Sequence, residues 1–142
     1  MAGREPIKLL VITPQRQVLD ESVDAVVIPA HDGELGILLD RAPLMCELGI
    51  GQLRYTRQND TRRVFIDGGF AQVLANRVVV LTNRAVPAEQ VTPEMIAAAE
   101  KEAEQHTGTT EAALAARDQA RERAAVLRRI RGGAERGDGR IG

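Results

Sequence analysis

Aromatic residues are almost missing from this chain, which has one Tyr, two Phe and no Trp in 142 residues. Any core must therefore be assembled from Val, Ile, Leu and Ala, which a hydrophobic fraction of 44% can supply. The scarcity also removes the stacking platforms that single-stranded nucleic acid needs. One cysteine, Cys46, excludes an internal disulfide and a thiolate metal cluster, and in its apolar context it reads as a small buried hydrophobe. His31 and His106 fall on different predicted domains, so no histidine cluster can ligate a metal. Ser22 is the single serine and has no base placed near it, which leaves a nucleophile triad unsupported. There is no G-x-x-x-x-G-K loop to cradle phosphates. No run approaches the roughly 18 apolar residues of a membrane-spanning helix, and the N-terminus lacks the apolar stretch of a signal peptide. A soluble protein is expected, touching a membrane only through a partner. The net charge of -1 and a pI near 6.1 give no global bias toward polyanions.

What is present divides into two halves. Up to residue 86 the chain is a series of short apolar or alternating runs, beginning Ile7–Ile12, Val18–Val23 and Ala25–Ile28. Pro29 and the His31-Asp32-Gly33 turn punctuate them. Ile37–Leu39 and Leu44–Leu48 follow, and Gly49-Ile50-Gly51 permits a bend. From Gln52 the alternation is clean, with Leu53, Tyr55 and Arg57 on one side. Gln58–Thr61 reads as a hairpin turn, and a second hairpin joins Phe70–Leu74 to Val78–Thr82. About ten short strands at this spacing predict an antiparallel β-sandwich over residues 1–86, with residues 1–5 frayed.

After a linker over 87–92 the pattern changes to helix. Thr92-Pro93-Glu94 combines a hydroxyl N-cap, a proline at the first helical position and an acid against the helix dipole. This helix should reach His106, and Thr110-Glu111 should start another that reaches Arg131. The glycines at 132, 133, 137, 139 and 142 predict a disordered tail over 132–142. Two helices so joined over 93–131 form an antiparallel hairpin, completing an α+β fold. Met95, Ile96, Ala99 and Ala103 share a face of the first helix; Ala113, Ala116, Ala120, Ala124 and Leu127 share one on the second. An alanine seam buries little area, so the hairpin reads as a detachable appendage. The first helix is acidic and the second arginine-rich. These faces are either simply solvated or a basic arm for an acidic protein surface.

The order of motifs resembles a known family. Ile28-Pro29, Gly33-Glu34-Leu35-Gly36-Ile37-Leu38, Ala42-Pro43-Leu44, Gly51, Asp67-Gly68-Gly69-Phe70, Val78-Val79-Val80-Leu81, Ala85 and Ala103-Glu104-Gln105-His106 together are similar to the epsilon subunit of F-type ATP synthase. The resemblance covers roughly residues 6 to 131. It implies a non-catalytic rotor subunit on the cytoplasmic face of the cell membrane, coupling rotation of the c-subunit ring to ATP synthesis through the gamma subunit. It implies a c-ring contact at Gly33, Glu34, Leu35 and Gly36. It also implies an arm bearing Arg121, Arg123, Arg128 and Arg129 that extends along gamma toward the alpha/beta catalytic hexamer and inhibits ATP hydrolysis.

Two departures qualify it. Leu39-Asp40-Arg41 stands where the family usually has Pro-Gly-His, so the family's histidine role does not pass to Arg41. Where some members bind ATP through Leu-Asp-x-x-Arg-Ala, Thr92 and Met95 replace the acid and the arginine, which implies no cofactor and weak or absent ATP binding. A reading from a different class is a free-standing β-sandwich adaptor whose basic helices bind acidic proteins or RNA. A third is an enzyme with a cryptic site, for which no constellation of side chains argues.

Overall fold

The computed structural model describes residues 6–135 of the chain. Eight strands are followed by two helices: β1 Ile7–Ile12, β2 Gln17–Val23, β3 Ala25–Ala30, β4 Gly33–Ile37, β5 Leu44–Arg57, β6 Asp60–Leu74, β7 Arg77–Leu81, β8 Ala85–Pro87, α1 Pro93–Gln105 and α2 Glu111–Glu135. The α+β fold is the expected one, with fewer strands than the expected ten. Two pairs of short runs merge, because neither Gly49-Ile50-Gly51 nor Asp67-Gly68-Gly69 ends its strand, while Ala85–Pro87 adds a short strand that the alternation did not mark. They bend it. Hydrogen bonding follows the order β2-β1-β7-β6-β5-β3-β4, with β8 added to β6. One pairing is parallel, β1 with β7, which hydrophobic periodicity cannot distinguish from an antiparallel one.

The bends make the sandwich. Beyond its bend β6 pairs with β7, and before it with β8, while β5 accompanies β6 throughout. The two halves of this long hairpin thus belong to two layers, whose inner faces share a core of Ile7, Leu9, Val11, Val26, Ile28, Leu53, Ile66, Val78 and Val80. At the bend Gly69 has φ +109, and a Cβ there would lie 1.9 Å from the Leu81 carbonyl oxygen. No side chain fits. Pro29 does not end β3 as its lack of an N–H suggests. It sits where the β3–β5 register shifts, between Val27 and Ala30, and packs into the space left by Gly51.

The connection to the helices is more ordered than the expected linker. Pro87 closes β8, Ala88–Gln90 forms a single 3-10 turn, and Val91 is buried. The Thr92 hydroxyl caps α1 by accepting from the Met95 N–H at 3.2 Å. Thr110 does the same for α2 through the Ala113 N–H at 3.1 Å. α2 runs past Arg131 through both glycines to Glu135, so residues 132–135 of the expected tail are helical. An interior glycine costs a helix about 1 kcal/mol, which weakens a turn without stopping it. The Arg131 guanidinium also donates to the Val91 carbonyl at 3.0 Å, holding that turn against the linker. Residues 1–5 and 136–142, where fraying and disorder are expected, lie outside the described residues.

The hairpin lies against the outer face of β5 and β6. Phe65, Val86, Val91, Val126, Leu127 and Ile130 are buried together there, with Ala99 and Ala124 between the helices. Gly69→Ala combines a steric overlap with a left-handed φ and should lower stability by about 3 kcal/mol or more in a denaturant titration. A loss under about 1 kcal/mol contradicts the tight bend.

Candidate functional site

The turn His31-Asp32 leads directly into β4, which holds Gly33 to Gly36 paired with β3. Glu34 stands opposite Pro29, and its carboxylate accepts two hydrogen bonds from the Arg54 guanidinium, at 2.7 and 3.3 Å. That pairing holds the Glu34 pKa below the usual glutamate range, against a smaller opposing effect of desolvation and with help from the Arg129 charge. Leu35 is half-buried against the sandwich core, while Gly33 and Gly36 are exposed. The four residues therefore form one edge strand with a single charged side chain, already paired.

The departure at Leu39-Asp40-Arg41 has a physical account. Asp40 adopts φ +64, the left-handed conformation a glycine takes freely. Its N–H donates to Asn76 Oδ1 at 2.6 Å, and Asn76 Nδ2 donates back to the Asp40 carboxylate at 3.3 Å. Asn76 belongs to the β6–β7 turn, where it and Ala75 both have positive φ. Two strained turns brace each other.

The four arginines of the expected arm separate. Arg123 Nε donates to Asp67 on β6 at 2.9 Å, and Arg123 Nη1 lies 3.7 Å from Glu102 of α1. Arg128 pairs with Glu100 across the hairpin. Arg121 and Arg129 are exposed, Arg129 contributing to the field at Glu34. The structure does not gather the four into one surface.

A surface that sequence reasoning missed lies on β5, β6 and β7. Met45, Phe70 and Leu81 are 68%, 56% and 52% exposed, and Leu74 joins them. Phe70 stands opposite Leu81, and Met45 opposite Gln72, so all four project from one side of three adjacent strands. Phe70 and Leu81 also line a cavity of about 540 Å³ with Ile12 and Pro14. An apolar patch of this kind marks a contact surface. Its signal was present in Val78-Val79-Val80-Leu81, an uninterrupted apolar run where a half-solvated strand alternates.

Comparison with known proteins fits this architecture. The profile of the family described as ATP synthase, Delta/Epsilon chain, beta-sandwich domain matches residues 6–88, more than half the chain. The chain belongs to that family. An ATP synthase epsilon chain of Carboxydothermus hydrogenoformans is 48% identical over 87 residues, covering 61% of this chain and 65% of that one. The stretch matched in the Rhodopirellula baltica epsilon chain is also 65% of its length, at 47% identity and 58% of this chain. The epsilon chain of Nitratidesulfovibrio vulgaris is 37% identical over 133 residues, covering 90% of this chain and 97% of its own. Among solved structures, a chain of the Euglena gracilis mitochondrial ATP synthase OSCP/F1/c-ring assembly superposes with a TM-score of 0.73 at 27% identity, covering 91% of this chain and 84% of its own. A chain of the Tetrahymena thermophila central stalk and c-ring, at 13% identity and a TM-score of 0.69, shares the fold over 90% of this chain and 98% of its own.

Within this delta/epsilon chain the Glu34–Arg54 pair has a defined pH signature. A carboxylate with a lowered folded-state pKa adds stability above its unfolded pKa and loses it as the pH falls through the lowered value. Arg54→Gln should raise the Glu34 pKa and remove that acid-side change, as read by a carboxyl NMR titration. An unshifted Glu34 contradicts the pairing.

Proposed function

We propose that this chain is a non-catalytic central-stalk subunit of an F-type ATP synthase, in which the sandwich binds the gamma subunit and the helical hairpin restrains ATP hydrolysis. The observation that carries this reading is the apolar face of Met45, Phe70, Leu74 and Leu81 on a sandwich whose opposite, β5–β6 face is already covered by the hairpin. A partner large enough to cover three strands is the natural occupant, and in the stalk of a rotary enzyme that partner is gamma. The edge strand Gly33–Gly36 then faces the c-ring, with Glu34 presented as a carboxylate preset by Arg54. Membrane association follows from the complex, since no helix among the described residues is long and apolar enough to cross a membrane. On this reading the complex lies at the cytoplasmic face.

The hairpin reading rests on its seam. Alanines dominate the contact between α1 and α2, and Val126, Leu127 and Ile130 supply most of the large apolar side chains toward the sandwich. Docked and extended forms separated by only a few kcal/mol make such a hairpin a two-state element. In the extended form the arm carries the arginines at 121, 123, 128 and 129 toward acidic segments of the catalytic hexamer. ATP is not expected to set the balance. The groove between the helices is lined by Glu100 and Glu104 as well as Arg121 and Arg128, and Arg128 is already paired with Glu100. Those carboxylates oppose a polyphosphate.

Phe70→Glu and Leu81→Glu should abolish co-purification with gamma while leaving the circular dichroism of the isolated chain unchanged. A stoichiometric gamma complex formed by both variants rules out this face, and a wild-type chain that never co-purifies favours the free-standing adaptor. Deleting the residues after Val91 should leave assembly intact and raise ATP hydrolysis. Hydrolysis no faster than in the intact enzyme contradicts the inhibitory role. Calorimetry should detect no sub-millimolar ATP binding to the isolated chain; measurable binding there overturns the reading of the groove.

A further inference from the structure

We infer that Arg123 is a latch, one guanidinium that ties α2 at once to the sandwich through Asp67 and to α1 through Glu102, and that this contact must break before the hairpin can leave. The inference rests on the detachable-hairpin reading and adds the residue that restrains it.

Asp67 is held in place before Arg123 reaches it. Its N–H donates to the Arg84 carbonyl at 3.1 Å and to the Thr82 hydroxyl at 3.2 Å. Its own carbonyl accepts from Asn83 Nδ2 at 3.2 Å. These contacts fix the backbone at the bend of β6, so the Asp67 carboxylate is presented from a rigid point of the strand. The Arg123–Asp67 pair, with side chains 22% and 14% exposed, is more enclosed than the Glu34–Arg54 and Arg128–Glu100 pairs. The same guanidinium lies 3.7 Å from Glu102, whose carboxylate is in turn 3.7 Å from the His106 imidazole at the end of α1.

This arrangement differs in kind from the other charge pairs. Lys8–Asp20, Arg57–Glu21 and Arg62–Asp60 lie within the sandwich and are largely solvated. Such pairs contribute little. Arg128–Glu100 joins the two helices without touching the sandwich, so it survives if the hairpin swings away as a unit. Arg123–Asp67 cannot survive. Removing Arg123 while the hairpin stays docked leaves Asp67 enclosed without its partner, which is more costly than losing a surface pair. The apolar seam around Leu127 supplies area but little direction, because apolar contact is tolerant of sliding. A hydrogen-bonded ion pair supplies register and an all-or-none character. Once released, Arg123 keeps only its 3.7 Å contact with Glu102 inside the hairpin, and Asp67 is an uncovered acid on the sandwich. The side chain that restrains the docked form is thus among those the extended arm carries toward an acidic partner.

The test is amide hydrogen exchange of α2 in the full chain, for wild type, Asp67→Asn, Arg123→Gln, the double variant and Arg128→Gln. Each of the first two variants should speed α2 exchange by roughly tenfold, the scale of a lost charged hydrogen bond. The double variant should be no faster than the faster single one, because the same contact is removed. Arg128→Gln should change α2 exchange by less than about threefold, the scale of a solvated pair. Exchange in β5 and β6 should stay as in wild type, which separates release of the hairpin from unfolding. Additive effects, no effect, or an Arg128→Gln change as large as that of Arg123→Gln overturn the latch. Failure of the inhibitory reading appears elsewhere, as unchanged ATP hydrolysis after truncation, and leaves these exchange results intact.

Discussion

The bend of β6 at Asp67-Gly68-Gly69 is the constraint on which the rest of the molecule depends. Before it, the strand pairs with β8 and turns Phe65 outward under the hairpin. After it, the strand pairs with β7 and turns Phe70 outward on a face the hairpin leaves uncovered. The close approach of Gly69 to the Leu81 carbonyl fixes the angle between these two segments. One tight turn within a strand therefore separates a face covered by the chain's own helices from an apolar face left uncovered. Asp67, at the same point, meets the arginine of α2.

The hairpin is held by an uneven mixture of contacts. The alanine seam lets α1 and α2 approach closely but buries little area per residue. Fully burying Leu127 or Ile130 is favourable by roughly 1.5 to 3 kcal/mol each, before the ordering of 13 helical residues in α1 and 25 in α2 is set against it. A seam with so few large side chains is closely balanced. The ion pairs matter for this reason, since a contact of modest strength shifts a balance of a few kcal/mol that it could not shift in a well-filled core.

Much of this was legible in the sequence. Turn residues and alternation marked most of the strands, Thr92-Pro93-Glu94 fixed the start of α1 to the residue, and the family resemblance emerged from the order of glycine and proline motifs. What escaped was nonlocal. Gly49-Ile50-Gly51 and Asp67-Gly68-Gly69 look like breaks because glycine usually ends a strand, and only the pairing of β5 with β6 shows that they bend together. Gly132-Gly133 looks like a helix stop, yet packing of Ile130 and the Arg131–Val91 hydrogen bond carry α2 further. The partners of Glu34 and Arg123, 20 and 56 residues away, leave no local trace. The apolar face did leave one, in a strand apolar on both sides, which reads as ordinary until the structure shows one side uncovered.

Central to this account is that the hairpin is a separable unit docked on an independently stable sandwich. Native-state hydrogen exchange of the wild-type chain under rising denaturant tests this most directly. The account predicts that amides of α1 and α2 exchange through an opening that leaves β5 and β6 protected, with a free energy several-fold below that of global unfolding. If helix and strand amides converge on one global free energy at all denaturant concentrations, the hairpin and the sandwich are a single cooperative unit, and the detachable arm is wrong.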